Sequence, residues 1–558
     1  MSAYDTTAGR ADLEAFDAHQ PTNFWEADAH LRRVVAAWAG QETLEAWEAE
    51  LSEFGAISAT EIDPLVRLND RVGNHPRLER WGPFGERLEA VEHHPSYHAA
   101  GRAIYGSGVI AALGEDGGVL RSQTLGYLSG LNGEAGHNCP AACTAGLVKA
   151  LRAVGSEELK ARYLPRLLST DYDELAHGAQ FLTEVQGGSD VGANEVVARP
   201  GARGEPWELT GEKWFCSNVT ADLILLTARP EGAPAGTRGL SLFLAPRRLP
   251  DGSLNHFAIR RLKDKLGTRS MASAELDLLG LRAWPLGPLE DGFKNMMTHV
   301  INTSRLWNAV GTAAIARRSH WVARGYAEHR RAFGAAIGRY PMVQETLADM
   351  RVEADAMVSG TFYLLHLADR LERGEGDAAL ADFHRMAVNL NKMRGAQSGH
   401  EVVLSGVEVL GGNGAIESFS VLPRLLRDNV VYENWEGTHN VLLNQVLRDC
   451  RRLEVHEGFL SHLRQLASGH GRILAALEAA EAHLRQTLEA PDALATLEMR
   501  RAGERLSFLL WAAAMAADGT DGAVLEHFLD RRLGPAAPLD EAYLARIARL
   551  SGLREVAT

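Results

Sequence analysis

Between Phe181 and Pro285 the sequence abandons the helical rhythm that governs it on both sides, and this switch confines the chain to folds in which a β unit interrupts a helical protein. Upstream, Asp28 to Trp38 carries Leu31, Val34, Val35 and Trp38 at the i, i+3, i+4, i+7 spacing of one helix face. Breakers at Asn74-His75-Pro76 and from Gly114 to Gly118 divide the mostly helical stretch from Asp12 to about Thr170 into several helices. Inside the switch, Trp207 to Phe215 reads as two short strands turning at Thr210-Gly211. Leu223 to Ala228 and Leu240 to Ala245 are short apolar runs bounded by Pro and Gly, which is strand-like. From Gly292 helices return, and Arg305 to Arg330, Val343 to Arg373 and Ala378 to Leu404 each keep a 3.6-residue apolar rhythm. A last segment, Arg451 to Thr558, is rich in Ala, Leu and Arg and reads as helical with breaks at Pro491 and Gly534-Pro535. Helical, β and helical blocks in succession point to separate domains rather than a doubly wound sheet. A length of 558 residues is in keeping with roughly three to four of them.

Composition narrows the class. With 46% hydrophobic and 23% charged residues the chain is balanced like a soluble globular protein. No run approaches the ~18 uncharged apolar residues of a membrane span, and Met1 to Arg10 lacks the order of a secretory signal. Four cysteines (Cys139, Cys143, Cys216, Cys450) are too few for a disulfide framework, so a reducing cytoplasm is expected. The 58 basic against 72 acidic residues leave −14, the wrong sign for a protein whose main work is gripping phosphate backbones.

Several motifs carry chemistry, each with a plainer reading beside it. Thr183-Glu184-Val185-Gln186-Gly187-Gly188-Ser189-Asp190 offers bare backbone N–H groups and a hydroxyl for an anionic group, or a flexible loop. It is neither a dinucleotide fingerprint nor a P-loop. Lys213-Trp214-Phe215-Cys216-Ser217-Asn218 sets aromatics beside short hydrogen-bonding groups, which suits a planar heteroaromatic ligand and equally suits core packing. Glu408-Val409-Leu410-Gly411-Gly412-Asn413-Gly414 is a glycine-rich helix stop. In Asn434-Trp435-Glu436-Gly437-Thr438-His439-Asn440 a carboxylate lies beside an aromatic ahead of a new helix. It is either a base with a raised pKa or a helix-start Glu favoured by the dipole. His137-Asn138-Cys139-Pro140-Ala141-Ala142-Cys143 matches no zinc spacing, so no metal is expected. No Gly-x-Ser-x-Gly elbow supports acyl transfer.

The order of these motifs is more specific than any one of them. Thr-Glu-x-x-Gly-Gly-Ser-Asp, Lys-x-x-x-Ser-Asn, Leu266-Gly267-Thr268-Arg269, Arg330-Arg331-Ala332-Phe333-Gly334, Leu410-Gly411-Gly412-Asn413-Gly414 and Trp435-Glu436-Gly437-Thr438 together resemble the acyl-CoA dehydrogenase family, from about Asp28 to Arg448. Arg261 to Gly267, Leu422-Pro423-Arg424-Leu425 and the C-terminal extension resemble its alkylation-response, AidB-type branch. The resemblance implies a mainly α protein with a β-barrel insert. It would comprise an N-terminal extension and helical domain (1–180), a middle β-barrel (181–288), a helical bundle (289–450) and an extra C-terminal helical domain (451–558).

It also implies FAD, an acyl-CoA substrate, an electron acceptor of unspecified identity, and a homodimer or homotetramer. Leu182 and Thr183 would meet the flavin ring, Gly188 and Ser189 the phosphates, Phe215 the flavin face and Ser217 its reactive N5. Arg330 and Phe333 would reach the neighbouring subunit's FAD, with Gly411, Gly412, Thr438 and Asn440 on the adenine side. Asn302 and Arg305 would contact the CoA part of the substrate, and Glu436 would be the catalytic base. Some members carry the base on an earlier helix, but the residue there is Ser304, and the nitroalkane-oxidising branch has Asp where this chain has Glu436. Glu408 replaces the Gln of ordinary dehydrogenases, and Pro341 stands near a position often held by Gln. The same branch is associated with DNA binding through its C-terminal domain. Here Arg451 to Thr558 has 13 Arg, no Lys and 15 Asp plus Glu, a balance of −2, so a salt-bridged helix surface is expected and DNA is disfavoured, which leaves a DNA-associated flavoprotein with weak or vestigial dehydrogenase activity as the alternative reading.

Overall fold

The structure is a computed structural model that describes residues 8–202, 205–535 and 537–553. The chain ends, including the first seven residues of the leader reading and 554–558 of the last helical segment, lie outside the described residues. The chain forms two compact units, one of residues 61–129 and 134–307, the other of 8–60, 130–133 and 308 onward.

The first unit contains the β-barrel. Its strands are β3 (Gly178–Phe181), β4 (Val197–Arg199), β5 (Trp207–Ser217), β6 (Leu223–Pro230), β7 (Ser241–Pro246), β8 (Phe257–Leu262) and β9 (Ser273–Pro285), after a hairpin of β1 (Arg77–Trp81) and β2 (Arg87–Glu92). The order β6-β4-β5-β9-β7 closes on itself because β7 also pairs with β6, while β3 lies parallel beside β6 and β8 antiparallel on β9. Closure leaves the barrel strands without a free edge and gathers Phe181, Leu209, Leu226, Phe243, Phe257, Ile259 and Leu276 into one core.

Two local expectations change. Trp207 to Phe215 is not a hairpin but part of one continuous strand, β5. Its register shifts between Leu209 and Thr210, and Gly211, at φ 144°, takes up the irregularity. A Thr-Gly pair marks a bulge as readily as a turn. The upstream region is also not wholly helical. Leu78 and Val91 pair across the β1–β2 hairpin and pack against the barrel core, and the buried Glu89 carboxylate accepts from the Ile259 N–H at 2.7 Å. Charged residues on the outer face of that hairpin hide its strand alternation.

The second unit is helical. Ala29–Ala39 begins where the Asp28 side chain accepts from the Leu31 N–H at 3.0 Å, and it buries Leu31, Val34 and Val35. Ala378–Leu410 packs with Pro341–Glu372, Leu422–Asn434 and His439–Leu453, and Arg317 of the long helix Asn302–His329 pairs with Asp355 of Pro341–Glu372. The last helices dock on this bundle within the same unit. Trp511 donates to Asn391 Oδ1 at 2.7 Å, and a Cβ on Gly360 would lie 2.1 Å from the Trp511 ring. Many arginines of this segment have carboxylate partners, among them Arg451 with Asp492, Arg531 with Asp349, and Arg532 with Glu353 and Glu401. That pairing neutralises much of what would attract a phosphate backbone. Among the described residues no helix is long and apolar enough to cross a membrane.

Candidate active site

The barrel unit carries Leu182, Thr183, Gly188, Ser189, Phe215, Ser217, Asn302 and Arg305, and the helical unit carries the rest. Beyond β3 the chain is held by a buried ion pair. Lys213 Nζ on β5 lies 2.7 Å from Glu184 Oε1, with the two side chains 0% and 3% exposed. Glu184 also accepts from the N–H groups of Glu195 (2.6 Å) and Val196 (3.2 Å). Burial pulls the Lys213 ammonium below its ordinary value, and the Glu184 carboxylate opposes that shift. Lys213 further donates to the Leu182 carbonyl at 3.3 Å, and the Trp214 N–H to the Thr183 carbonyl at 2.9 Å. Neither Glu184 nor Lys213 is a site residue in the sequence reading, although both are letters of its motifs.

The adjoining glycine turn needs its glycines. Gly187 sits at φ 135°, and a Cβ on Gly188 would come within 2.5 Å of Thr183 Oγ1. The backbone of Gly188 and Ser189 is exposed. On β5 the register slips again between Lys213 and Cys216, so both of these point into the barrel. Trp214 and Phe215 are displaced outward, and Phe215 is 52% exposed. Lys263 Nζ lies 3.7 Å from the Trp214 ring centroid and 4.6 Å from that of Phe215, a cation–π clamp on both rings. Ser217 Oγ is 3.0 Å from Ser273 Oγ, which accepts from Lys265 Nζ at 3.0 Å. Asn302 and Arg305 open the helix that follows a π-helical turn, Met296–Ile301. Such turns concentrate at functional sites, and no sequence periodicity announced this one. Ser304 Oγ accepts from Gln180 Nε2 at 3.0 Å.

In the helical unit, Glu436 occupies the turn between Leu422–Asn434 and His439–Leu453. It is half-buried and adopts a left-handed φ of 58°. A non-glycine residue in that region costs about 1 kcal/mol and persists where the surroundings over-determine it. The surroundings are visible. Lys392, fully buried, donates to the Glu433 carbonyl (3.1 Å) and the Gly437 carbonyl (2.9 Å), so one ammonium ties both ends of the turn. Trp435 packs edge-on against Tyr432 with centroids 4.8 Å apart. Beside them Glu433 is within 2.6 Å of His400 Nδ1 and 3.3 Å of His439 Nε2. Burial pushes the Glu433 carboxyl up, but the imidazoles outweigh it and leave it below its ordinary value. Thr438 is the N-cap residue of His439–Leu453 and makes no side-chain cap, while Asn440 Oδ1 accepts from Arg500 Nε at 3.3 Å.

Gly411, at φ 59°, ends the helix Ala378–Leu410, and a Cβ on Gly411 or Gly412 would meet nothing within 4 Å. Arg330 precedes a two-residue turn in which Phe333 (φ 52°) and Gly334 (φ 89°) both lie left-handed. Tyr340 Oη donates to the carbonyls of Ala332 (2.8 Å) and Phe333 (3.1 Å), holding a tip on which the Phe333 ring is 98% exposed.

Comparison with known proteins decides the family. Residues 179–279 match the acyl-CoA dehydrogenase middle domain and 290–451 its C-terminal domain, while 16–174 match the N-terminal domain of the adaptive response protein AidB. Acyl-CoA dehydrogenase family member 11 of Caenorhabditis elegans is 32% identical over 461 residues, covering 80% of this chain and 74% of the relative. The chain belongs to the acyl-CoA dehydrogenase family. A second relative, AidB of Escherichia coli (strain K12), is 31% identical over 408 residues, covering 71% of this chain and 72% of its own. Among solved family structures, that of C. elegans ACDH-11 in complex with C11-CoA superposes with a TM-score of 0.81 at 27% identity, over 94% of this chain and 90% of that one. The apo form of Bd2924 gives 0.83 at 28% identity, over 90% and 98%. This family member therefore has the helical, β-barrel and bundle architecture with an added C-terminal helical part, and the AidB-type likeness is shown by its N-terminal domain and by the second relative.

Proposed function

We propose that the protein is an FAD-dependent acyl-CoA dehydrogenase in which Glu436 is the base. The observation that carries this is the Trp435-Glu436-Gly437 turn: Glu436 holds a strained left-handed conformation in a turn that carries the Tyr432–Trp435 aromatic pair and is tied by a buried lysine. Strain maintained at such cost marks a group whose position matters. Family membership supports the oxidoreductase class, and the C11-CoA bound to the C. elegans neighbour supports a CoA thioester as substrate.

Features within each unit fit FAD. The close approach at Gly188 leaves bare backbone for a phosphate, the displaced Phe215 offers a flat exposed ring, and Gly411 and Gly412 keep a surface open to a large ligand. Leu182, Thr183 and Ser217 would hold the isoalloxazine by backbone and hydroxyl, and Gly188 and Ser189 the diphosphate. Gly411, Gly412, Thr438 and Asn440 would hold the adenine side, with Arg330 and Phe333 serving the FAD of a neighbouring subunit in a homodimer or homotetramer. Bound FAD supplies the acceptor for the β-hydrogen, taken as hydride. Glu436 would take the α-proton, so that a C–C double bond forms as both C–H bonds break. Asn302 and Arg305 orient the CoA portion, and a separate electron acceptor completes the cycle. Four free thiols suit a reducing cytoplasm.

Anaerobic titration of the purified protein with straight and branched acyl-CoAs, followed by visible absorption, tests this reading. Bleaching is expected with at least one thioester, and Glu436→Gln should abolish it while FAD stays bound. Full bleaching in that variant would remove Glu436 as the base.

A further inference from the structure

We propose that His19, Glu328 and His329 form a binding site for a divalent first-row transition-metal ion, with zinc the ion whose chemistry they fit. One ligand atom from each side chain lies within 4.8 Å of the other two. His19 Nε2 is 3.3 Å from Glu328 Oε2. Two ligand atoms on a tetrahedral zinc, each about 2.0–2.1 Å from the ion, stand about 3.3–3.4 Å apart, so this edge already has the spacing of a coordination sphere. The imidazoles of His19 and His329 meet edge-on, with centroids 5.0 Å apart at 63°.

The donor set is selective. Two imidazoles and one carboxylate suit zinc and its neighbours in the first row, whereas calcium and magnesium call for oxygen ligands. A simple ion pair of protonated His19 with Glu328 would account for two of the three residues only. It leaves His329 Nε2, which is shielded from solvent and has no hydrogen-bond partner, unexplained. An unpaired buried imidazole nitrogen costs free energy that a metal–nitrogen bond removes. Three protein ligands leave a fourth position for water.

The placement suggests what the ion does. His19 follows the helix Ala8–Ala18, and Glu328 and His329 end the helix Asn302–His329. The two helices already meet through Phe16 against Tyr326, centroids 5.4 Å apart, and the Asp12 carboxylate accepts from the N–H of Arg331, just beyond the second helix, at 3.2 Å. A metal would clamp the N-terminal helix to the base of the hairpin that begins beyond Arg330. None of these ligands follows a sequence motif, because they come from distant segments.

Calorimetric titration of the chelator-stripped full-length protein with zinc chloride, together with metal analysis after dialysis, tests the proposal. The expected result is one tightly held zinc per chain and a rise in the thermal midpoint on loading. His19→Ala and His329→Gln should each lose the tight site and that rise, and Glu328→Gln should weaken binding at least tenfold, with unchanged far-ultraviolet dichroism reporting intact folds. Zinc held only weakly, or held with the same stoichiometry and affinity in wild type and in both histidine variants, would overturn the proposal by tracing the binding to histidines elsewhere.

Discussion

Lys213→Met probes the ion pair that fixes the Leu182–Thr183 segment. The pair is buried at both ends, with 2.7 Å between Nζ and Oε1. Removing the ammonium strands the Glu184 carboxylate in the barrel wall with its backbone donors from Glu195 and Val196 and no nearby lysine charge. Breaking one partner of a buried pair costs about 3–5 kcal/mol, because the uncompensated charge carries the penalty. A second change, Glu184→Gln, removes that charge while its amide oxygen still accepts from both N–H groups. The double variant should therefore lie within about 1–2 kcal/mol of wild type. At about 2–4 °C per kcal/mol for a unit of this size, the single variant loses about 6–20 °C in midpoint and the double about 2–8 °C. Scanning calorimetry of wild type, both singles and the double closes the cycle, with amide exchange at Thr183 to Gly188 reporting the local effect. If the double falls at the sum of the two singles, the groups are not coupled and the ion pair does not hold this segment.

Two further outcomes follow from the same structure. Phe333→Asp, at a tip that is 98% exposed, should keep the far-ultraviolet dichroism of wild type yet shift gel-filtration elution to smaller species and lower retained flavin; unchanged elution and flavin content would count against a role between subunits. His93 and His137 stack on either side of Tyr97, at 3.9 and 4.0 Å, and burial takes both imidazoles down to about 3. The unfolded chain, with imidazoles near 6.5, binds more protons between those values, so stability is lost as the pH falls through 6.5 toward 3. At pH 5.5 each imidazole accounts for a loss of about 1.4 kcal/mol. His137→Phe should then lose about 1.4 kcal/mol less than wild type in urea unfolding between pH 7.5 and 5.5, and parallel declines would refute the assignment.

Local periodicity and turn residues were enough to read the helical blocks, the β insert and the stretch that holds Glu436, because they act on the backbone within a few residues. The Asp28 cap and the Leu31, Val34, Val35 face are examples of signals that the folded chain uses as written. The ordered motifs likewise single out Thr183, Gly188 and Ser217 as candidate site residues from their place in the sequence alone. Alternation failed at β5, where a bulge turns Lys213 and Cys216 inward together and pushes Phe215 out, and at the β1–β2 hairpin, where the charged Glu89 is itself turned inward onto Ile259.

The succession of elements and the residue types available to a site are thus local properties of the chain. Which charges are buried is settled by packing alone. Lys392 becomes the fastener of the Glu436 turn, Lys213 the partner of Glu184, and His19 the neighbour of Glu328 and His329. The physical reason is that burial and pairing depend on contacts between segments far apart in the chain. A lysine in a helix or strand carries no local mark of whether it will face water or a carbonyl.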